Sequence, residues 1–399
     1  MPMLNRRTVL KIGGAGLALP LLGGAALGQD GPLKIGFVNV GPKDDNGWTF
    51  GHWTGAQALE AEFGDKIEIT FVESVPEGPD CERVLRELAQ QGNKIIFATS
   101  FGFGDYVIKV AREFPDVVFE HATGYQRSDN VGTYNARFHE GRAVMGTLAG
   151  HLTKTNTIGY IGSFPIPEVV MGINAFTLAA QKVNPDIKVN VVMLSSWHDP
   201  AKEADAARAM IDQGIDVIAQ HTDGPAALQV AAERGIVGGF GQGADMSAFA
   251  PETQLTAIID NWGPHYLAST EAVLAGTWTP GNTWEGLKED VVEMGPYGEK
   301  VPEDVVAAAE AVRLGQIDGS FHIFEAKSVI LACGSQNFDI TPVWCSTGIG
   351  QAMAFRAGAE MRNAEFANMG DFARMDADGQ TLYYGMHGGA HTGHDHLYA

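Results

Sequence analysis

The 399-residue sequence predicts an α/β protein made of two Rossmann-like parallel-sheet lobes with a hinge. Three observations carry that prediction. Short β-branched runs alternate with helical patterns from Lys34 to about Phe240, the signature of parallel strands joined by helical crossovers. The alternation restarts near Thr157, as two similar lobes require. Nearly every strand runs into a loop that carries an aromatic ring, a carboxylate or an amide, and open α/β sheets bind ligands beyond those strand ends.

The chain opens on Arg6-Arg7-Thr8-Val9-Leu10-Lys11 and an apolar run over 12–27. Paired arginines, a short hydrophobic stretch and small residues before Gln29 predict a twin-arginine-type signal peptide over 1–28, with the mature chain in the periplasm. The run is short and is broken by glycines and Pro20, which argues against a spanning anchor. Gly13-Gly14-Ala15-Gly16 is no dinucleotide fingerprint, because no strand precedes it.

The first strand is expected at 34–40, then a loop, Gly41-Pro42-Lys43-Asp44-Asp45-Asn46-Gly47-Trp48, then a helix over 49–63. Further strands are expected at 67–72, 94–98, 117–121, 157–161, 189–193, 217–220 and 236–240. Helical patterns lie at 81–91, 106–114, 141–152, 167–183 and 200–213. The reading assigns 33–156 plus about 262–293 to lobe 1, 157–261 plus about 294–324 to lobe 2, and 326–399 to an atypical tail. A return of the chain to the first lobe after Asp260 would form part of the hinge, and such lobes close on ligand by hinge motion.

Removing Arg6, Arg7 and Lys11 with the leader takes the formal net charge from -21 to -24. Nucleic acid and anionic membrane surfaces are therefore poor partners. Cys81, Cys333 and Cys345 are too few and scattered to define a disulfide framework.

Candidate ligand residues gather at the strand ends: Asp45, Asn46 and Trp48, then Ser100 and Phe101, then Phe164, Trp197, Asp223, Asp260 and Trp262. Rings beside carboxylates suit a flat heteroaromatic ligand. Stacking adds about 0.5–1.5 kcal/mol per aromatic pair, and a carboxylate accepts from ring N–H or amino groups. The competing assignment makes the tryptophans interlobe packing and the acids helix caps, Asp199 before Pro200 above all. No G-x-S-x-G elbow, H-E-x-x-H pair or strand-preceded P-loop is present, so no enzymatic activity, cofactor or metal site is expected.

On Gly36–Gly55 (36–55), Val75-Pro76-Glu77-Gly78, Thr99-Ser100-Phe101-Gly102, 119–125, 163–169, Gln220-His221-Thr222-Asp223 and Asp260-Asn261-Trp262-Gly263-Pro264, the chain resembles the basic membrane protein family of solute-binding proteins. The likeness runs from about Pro32 to Glu325 and is strongest to the purine-binding branch. It implies a two-lobed type I periplasmic-binding-protein fold, a monomer, and delivery of a purine base, adenine foremost, to an inner-membrane ABC permease. It also implies Trp48 and Trp197 as the stacking pair with Phe101 nearby, and Asp223 and Asp260 as polar readers. A nucleoside or riboflavin receptor of the same fold is the alternative ligand class.

The tail departs from that family. Ala326-Lys327-Ser328-Val329-Ile330-Leu331-Ala332-Cys333-Gly334 and 347–360 resemble an internal piece of the FAD-binding domain of fumarate reductase and succinate dehydrogenase flavoproteins. A complete flavin domain would make the chain an FAD-dependent oxidoreductase. About seventy-five residues bury too little surface to hold FAD alone, so the tail reads as a fusion scar. His387, His391, His394 and His396 stand among glycines and could chelate a divalent metal only weakly.

Overall fold

A computed structural model of the chain describes residues 31–317, 371–375 and 381–385. The leader at 1–28, the flavoprotein-like segments at 326–334 and 347–360, and the histidine-rich run at 387–396 lie outside the described residues.

The chain begins β1 (Leu33–Val38), α1 (Trp48–Phe63), β2 (Ile67–Val72), α2 (Pro79–Gln90), β3 (Ile95–Ala98), α3 (Gly104–Glu113), β4 (Val118–Ala122) and β5 (Val131–Ala136). It continues with α4 (Phe138–Leu152), β6 (Thr157–Gly162), α5 (Pro167–Val183), β7 (Lys188–Met193), α6 (Pro200–Asp212), β8 (Val217–His221), α7 (Ala226–Arg234), β9 (Gly238–Gly241) and β10 (Gln254–Asp260). Then follow α8 (Gly263–Leu274), β11 (Asn282–Glu285), β12 (Val292–Met294) and α9 (Glu303–Ile317). Separately, β13 (Asp371–Met375) and β14 (Thr381–Gly385) pair as an antiparallel hairpin.

Two six-stranded sheets result, in the orders β11-β5-β4-β3-β1-β2 and β12-β10-β9-β8-β6-β7. The first is parallel throughout, whereas β12 joins the second antiparallel to β10. Each sheet has helices on its faces, so its central strands are apolar on both sides and wholly buried, as Ile95–Ala98 shows. Phe37 of β1 stacks on Phe97 of β3 at 4.9 Å and meets Tyr266 of α8 edge-on at 5.1 Å. Val38, Leu85, Leu88, Ile96, Val107 and Phe119 fill the other face under α2 and α3.

The chain crosses between sheets three times: at Arg137, at Asn261-Trp262, and between β11 and β12. After β10 it returns to the first lobe, where α8 packs on α1 and β11 pairs with β5. Arg137 fastens two of the crossings together. Its guanidinium donates to Glu140 Oε1 at 2.5 Å, to the Trp284 carbonyl at 2.5 Å and to Glu289 Oε2 at 2.6 Å.

One boundary differs from the sequence reading. The stretch 138–152, assigned there to lobe 1, packs against α5, β10 and β12 and belongs to the second lobe. The lobe boundary therefore falls at Arg137 and not at Thr157. Helix order along the chain could not reveal this, because the crossing precedes the helix. Among the described residues, no helix is long and apolar enough to cross a membrane.

Candidate functional site

A cleft lies between the lobes at the carboxyl ends of their strands. Lobe 1 lines it with Val40, Trp48, Ser100, Phe101 and Thr123, and lobe 2 with Ile166, Glu168, Trp197, His221 and Asp223. The cleft and its mouth hold about 320 Å³ of empty space, open solvent included.

Trp48 owes its position to the loop before it. Asp45 accepts from the backbone N–H of Gly47 at 2.8 Å, Thr49 at 2.9 Å and Phe50 at 2.9 Å, and so caps α1. Trp48 is the first residue of that helix, and its indole N–H donates to the Thr99 carbonyl at 2.6 Å. His52 and Trp262 support the ring edge-on at 4.7 and 5.5 Å.

Lobe 2 presents Trp197 on the loop after β7, against Phe164 at 5.0 Å. The Asp223 N–H donates to the Trp197 carbonyl at 2.9 Å, and His198 Nδ1 contacts the Asp223 carbonyl. Ring and carboxylate are thus carried on two loops tied together. Glu168 stands in the first turn of α5, with Oε1 3.5 Å from His221 Nε2.

The electrostatics follow from burial. Burial pushes Asp223 well above the ordinary carboxylate range, and the nearby acids Asp45, Glu203, Asp260 and Glu168 push it further. Glu168 is raised to about 7 by burial, against the opposing influence of Arg142. Burial holds His221 well below its usual value, so its imidazole is neutral. Asp260 is raised to about 8, again by burial first, and neither of its carboxyl oxygens has a partner among the described residues. Arg142, fully buried, donates to the Gln220 carbonyl at 2.9 Å and to Gln242 Oε1, and is the cation beside these acids.

Of the residues expected from sequence, Trp48, Ser100, Phe101, Trp197 and Asp223 line the cleft, and Phe164 backs Trp197. The other four stand elsewhere. Asp45 is spent on the helix cap. Asn46, at φ +61°, donates to the Asp44 carbonyl at 2.8 Å on the exposed side of the loop. Trp262 is a hinge residue, stacked on His52 at 5.0 Å and buried behind Trp48. Asp260 ends β10 and packs against Gly51 of α1 at the lobe junction. Sequence reasoning passed over Glu168 and His221 as cleft residues. An acid in a helix's first turn reads as a dipole partner, and His221 was named only as part of the strand-end motif Gln220-His221-Thr222-Asp223, with no role of its own. Val40, Thr123 and Ile166 carry no local signal at all.

The lobes meet directly here. Gly47 of lobe 1 lies so close to lobe 2 that a Cβ on it would be 2.9 Å from Asp223 Cα. Trp197 Nε1 also donates across to Glu77 Oε1 at 3.2 Å.

Two α/β lobes with a cleft lined from both sides define a protein of the solute-binding class. The chain belongs to the Bmp family of PnrA-like ABC transporter substrate-binding proteins, which it matches over residues 33–318. It is a binding protein and not an enzyme, with a small-molecule ligand and a membrane permease as its partners. It is 54% identical over 290 residues to a purine-binding protein of Brucella abortus (strain 2308), covering 73% of this chain and 82% of that one. It is 38% identical over 291 residues to a putative ABC transporter glucose-binding protein of Haloferax volcanii, covering 72% of this chain and 73% of that one. The fold is that of a solute-binding protein from Aeropyrum pernix K1, at a TM-score of 0.64 and 19% identity over 74% of this chain and 94% of that one. A solute-binding protein from Conexibacter woesei DSM 14684 gives a TM-score of 0.60 at 22% identity, over 73% of this chain and 98% of that one.

Proposed function

We propose that this protein captures a purine base, adenine foremost, between its lobes in the periplasm and delivers it, as a monomer, to an ABC permease. The observation that carries the reading is a cleft lined by aromatic rings from both lobes and by the carboxyl groups of Glu168 and Asp223. The 54%-identical relative named for purine binding supports the same ligand class.

Trp48 and Phe101 face the ligand from lobe 1 and Trp197 from lobe 2, so closure brings rings onto opposite sides of a flat base. Each good aromatic pair adds about 0.5–1.5 kcal/mol beyond the area it buries. Asp223 and Glu168 select the edge. A purine presents ring N–H and amino donors, and an unpaired buried acceptor penalises any ligand that lacks them. Riboflavin or a nucleoside would need further room and polar contacts for its ribityl or sugar group.

Isothermal titration of adenine into residues 29–399, repeated with Trp197→Ala, tests this. The reading expects the substitution to weaken binding at least tenfold, about 1.4 kcal/mol. Equal affinity in both proteins would remove Trp197 from the site, and no binding in the unsubstituted protein would remove adenine.

A further inference from the structure

Glu77 is not among the residues lining the cleft, yet one of its carboxylate oxygens is a junction between the lobes. Oε1 accepts from the Ser100 hydroxyl at 2.6 Å and from the Gly102 N–H at 2.9 Å, both in lobe 1. The same oxygen accepts from Trp197 Nε1 at 3.2 Å, from lobe 2 and 120 residues along the chain.

Each donor is itself held. The Ser100 carbonyl lies 2.7 Å from His121 Nε2, and burial pushes His121 down to about 4, so the ring is neutral and donates through Nε2–H. Gly102 lets the carboxylate sit flush on the backbone, since a Cβ there would lie 2.4 Å from the Glu77 carboxyl carbon. On the far side, Trp197 is backed by Phe164 and its carbonyl holds the Asp223 N–H.

We infer that Glu77 is a positioning residue that draws the Trp197 indole across the lobe boundary and sets the ring plane against which the ligand stacks. A bond to an ionised acceptor is about twice as strong as one between neutral groups. Because Trp197 and Asp223 are tied, the contact that orients the ring also seats the carboxyl group that reads the ligand edge. A residue serving only the 99–103 turn would need Ser100 and Gly102 alone, and would have no reason to reach Trp197.

The ligand half of the inference rests on the purine reading, so the test has two arms. In the first, adenine is titrated into the wild type, Glu77→Ala, Trp197→Phe and the double variant. Trp197→Phe keeps a ring and deletes the N–H. Each single change is expected to weaken binding about five- to tenfold, and the double variant to be no weaker than the worse single one, as coupled partners behave. Losses that multiply would overturn the inference.

The second arm needs no ligand identity. In 15N-tryptophan-labelled protein, the Trp197 indole resonance is assigned by its disappearance in Trp197→Phe. It is expected to move upfield in Glu77→Gln and in Glu77→Ala, and an unmoved resonance in both overturns the inference. Should wild type take up no adenine, the purine reading fails while the resonance still decides the role of Glu77.

Discussion

Replacing Gly47 with alanine adds a methyl group where the lobes meet. The new Cβ would stand 2.9 Å from Asp223 Cα and 3.2 Å from its carbonyl carbon, both backbone atoms that cannot rotate aside. Ordinary contact begins near 3.4 Å, so closure must stop about 0.5 Å short or strain the two loops. Overpacking of this kind costs about 1–3 kcal/mol, which corresponds to a 5- to 150-fold loss of affinity. The cost falls on the closed form alone, since opening the hinge relieves the contact. Ligand-free protein should therefore melt within about 2–4 °C of wild type, the shift of about 1 kcal/mol expected at the helix cap. Titration of adenine and a thermal melt of the same sample measure both quantities. An affinity within twofold of wild type would refute the claim that this contact forms on closure around the ligand. A ligand-free melting temperature lowered by well over about 4 °C would instead make Gly47 a residue of the fold.

Two further predictions concern the buried charges. Asp260 at about 8 and Glu168 at about 7 are raised above their ordinary values of 3.8 and 4.5 by burial. A raised carboxyl holds its proton more tightly when folded, so its stabilising effect is full below about pH 4 and is lost as pH climbs towards 8. One such group loses up to about 1.4 kcal/mol per pH unit. Asp260→Asn cannot ionise, and its stability advantage over wild type should widen from pH 5 to pH 8 in thermal melts; a constant gap would contradict this. The lowered histidines His52, His121 and His221 give the opposite slope below about 6.5, but they are common to both proteins and cancel in the difference. Arg142→Met takes the donor from the Gln220 carbonyl and Gln242 Oε1, both buried, and should cost about 1–3 kcal/mol in denaturant unfolding. A loss under about 0.5 kcal/mol would mean that these acceptors do not depend on Arg142.

Most of the fold was legible because parallel strands buried on both faces leave β-branched runs that no other element mimics. The strands of lobe 1 from β1 to β4 and of lobe 2 from β6 to β9 start or end within a few residues of their expected positions. The elements that were missed lack local signals. β5 contains Gly132 and Asn135, both poor strand formers, and β11 and β12 are only four and three residues long. These last two exist by pairing with β5 and β10, contacts that no window of sequence contains. β10, Gln254–Asp260, is an omission of another kind, since its isoleucines and threonine are ordinary strand residues.

The site divides in the same way. Strand-end placement pointed to Trp48, Phe101, Trp197 and Asp223, because topology alone brings those loops to one side of the sheets. It could not separate Asp45 from Asp223. Both are acids after a strand, but three backbone N–H groups claim the first, while the second opens onto the cleft. Asp199 was readable as a cap from Pro200 beside it, and its carboxylate does accept from the Lys202 N–H at 3.1 Å.

The central claim is that the cleft between the lobes selects a purine base. It is tested most directly by titrating adenine, guanine, adenosine, riboflavin and glucose, each separately, into residues 29–399 and ranking the dissociation constants. The account predicts adenine binding at about 1 μM or tighter, near -8.2 kcal/mol, with riboflavin and glucose giving no heat. Binding of glucose with no response to any purine would contradict it, leaving the fold and family in place with a different ligand.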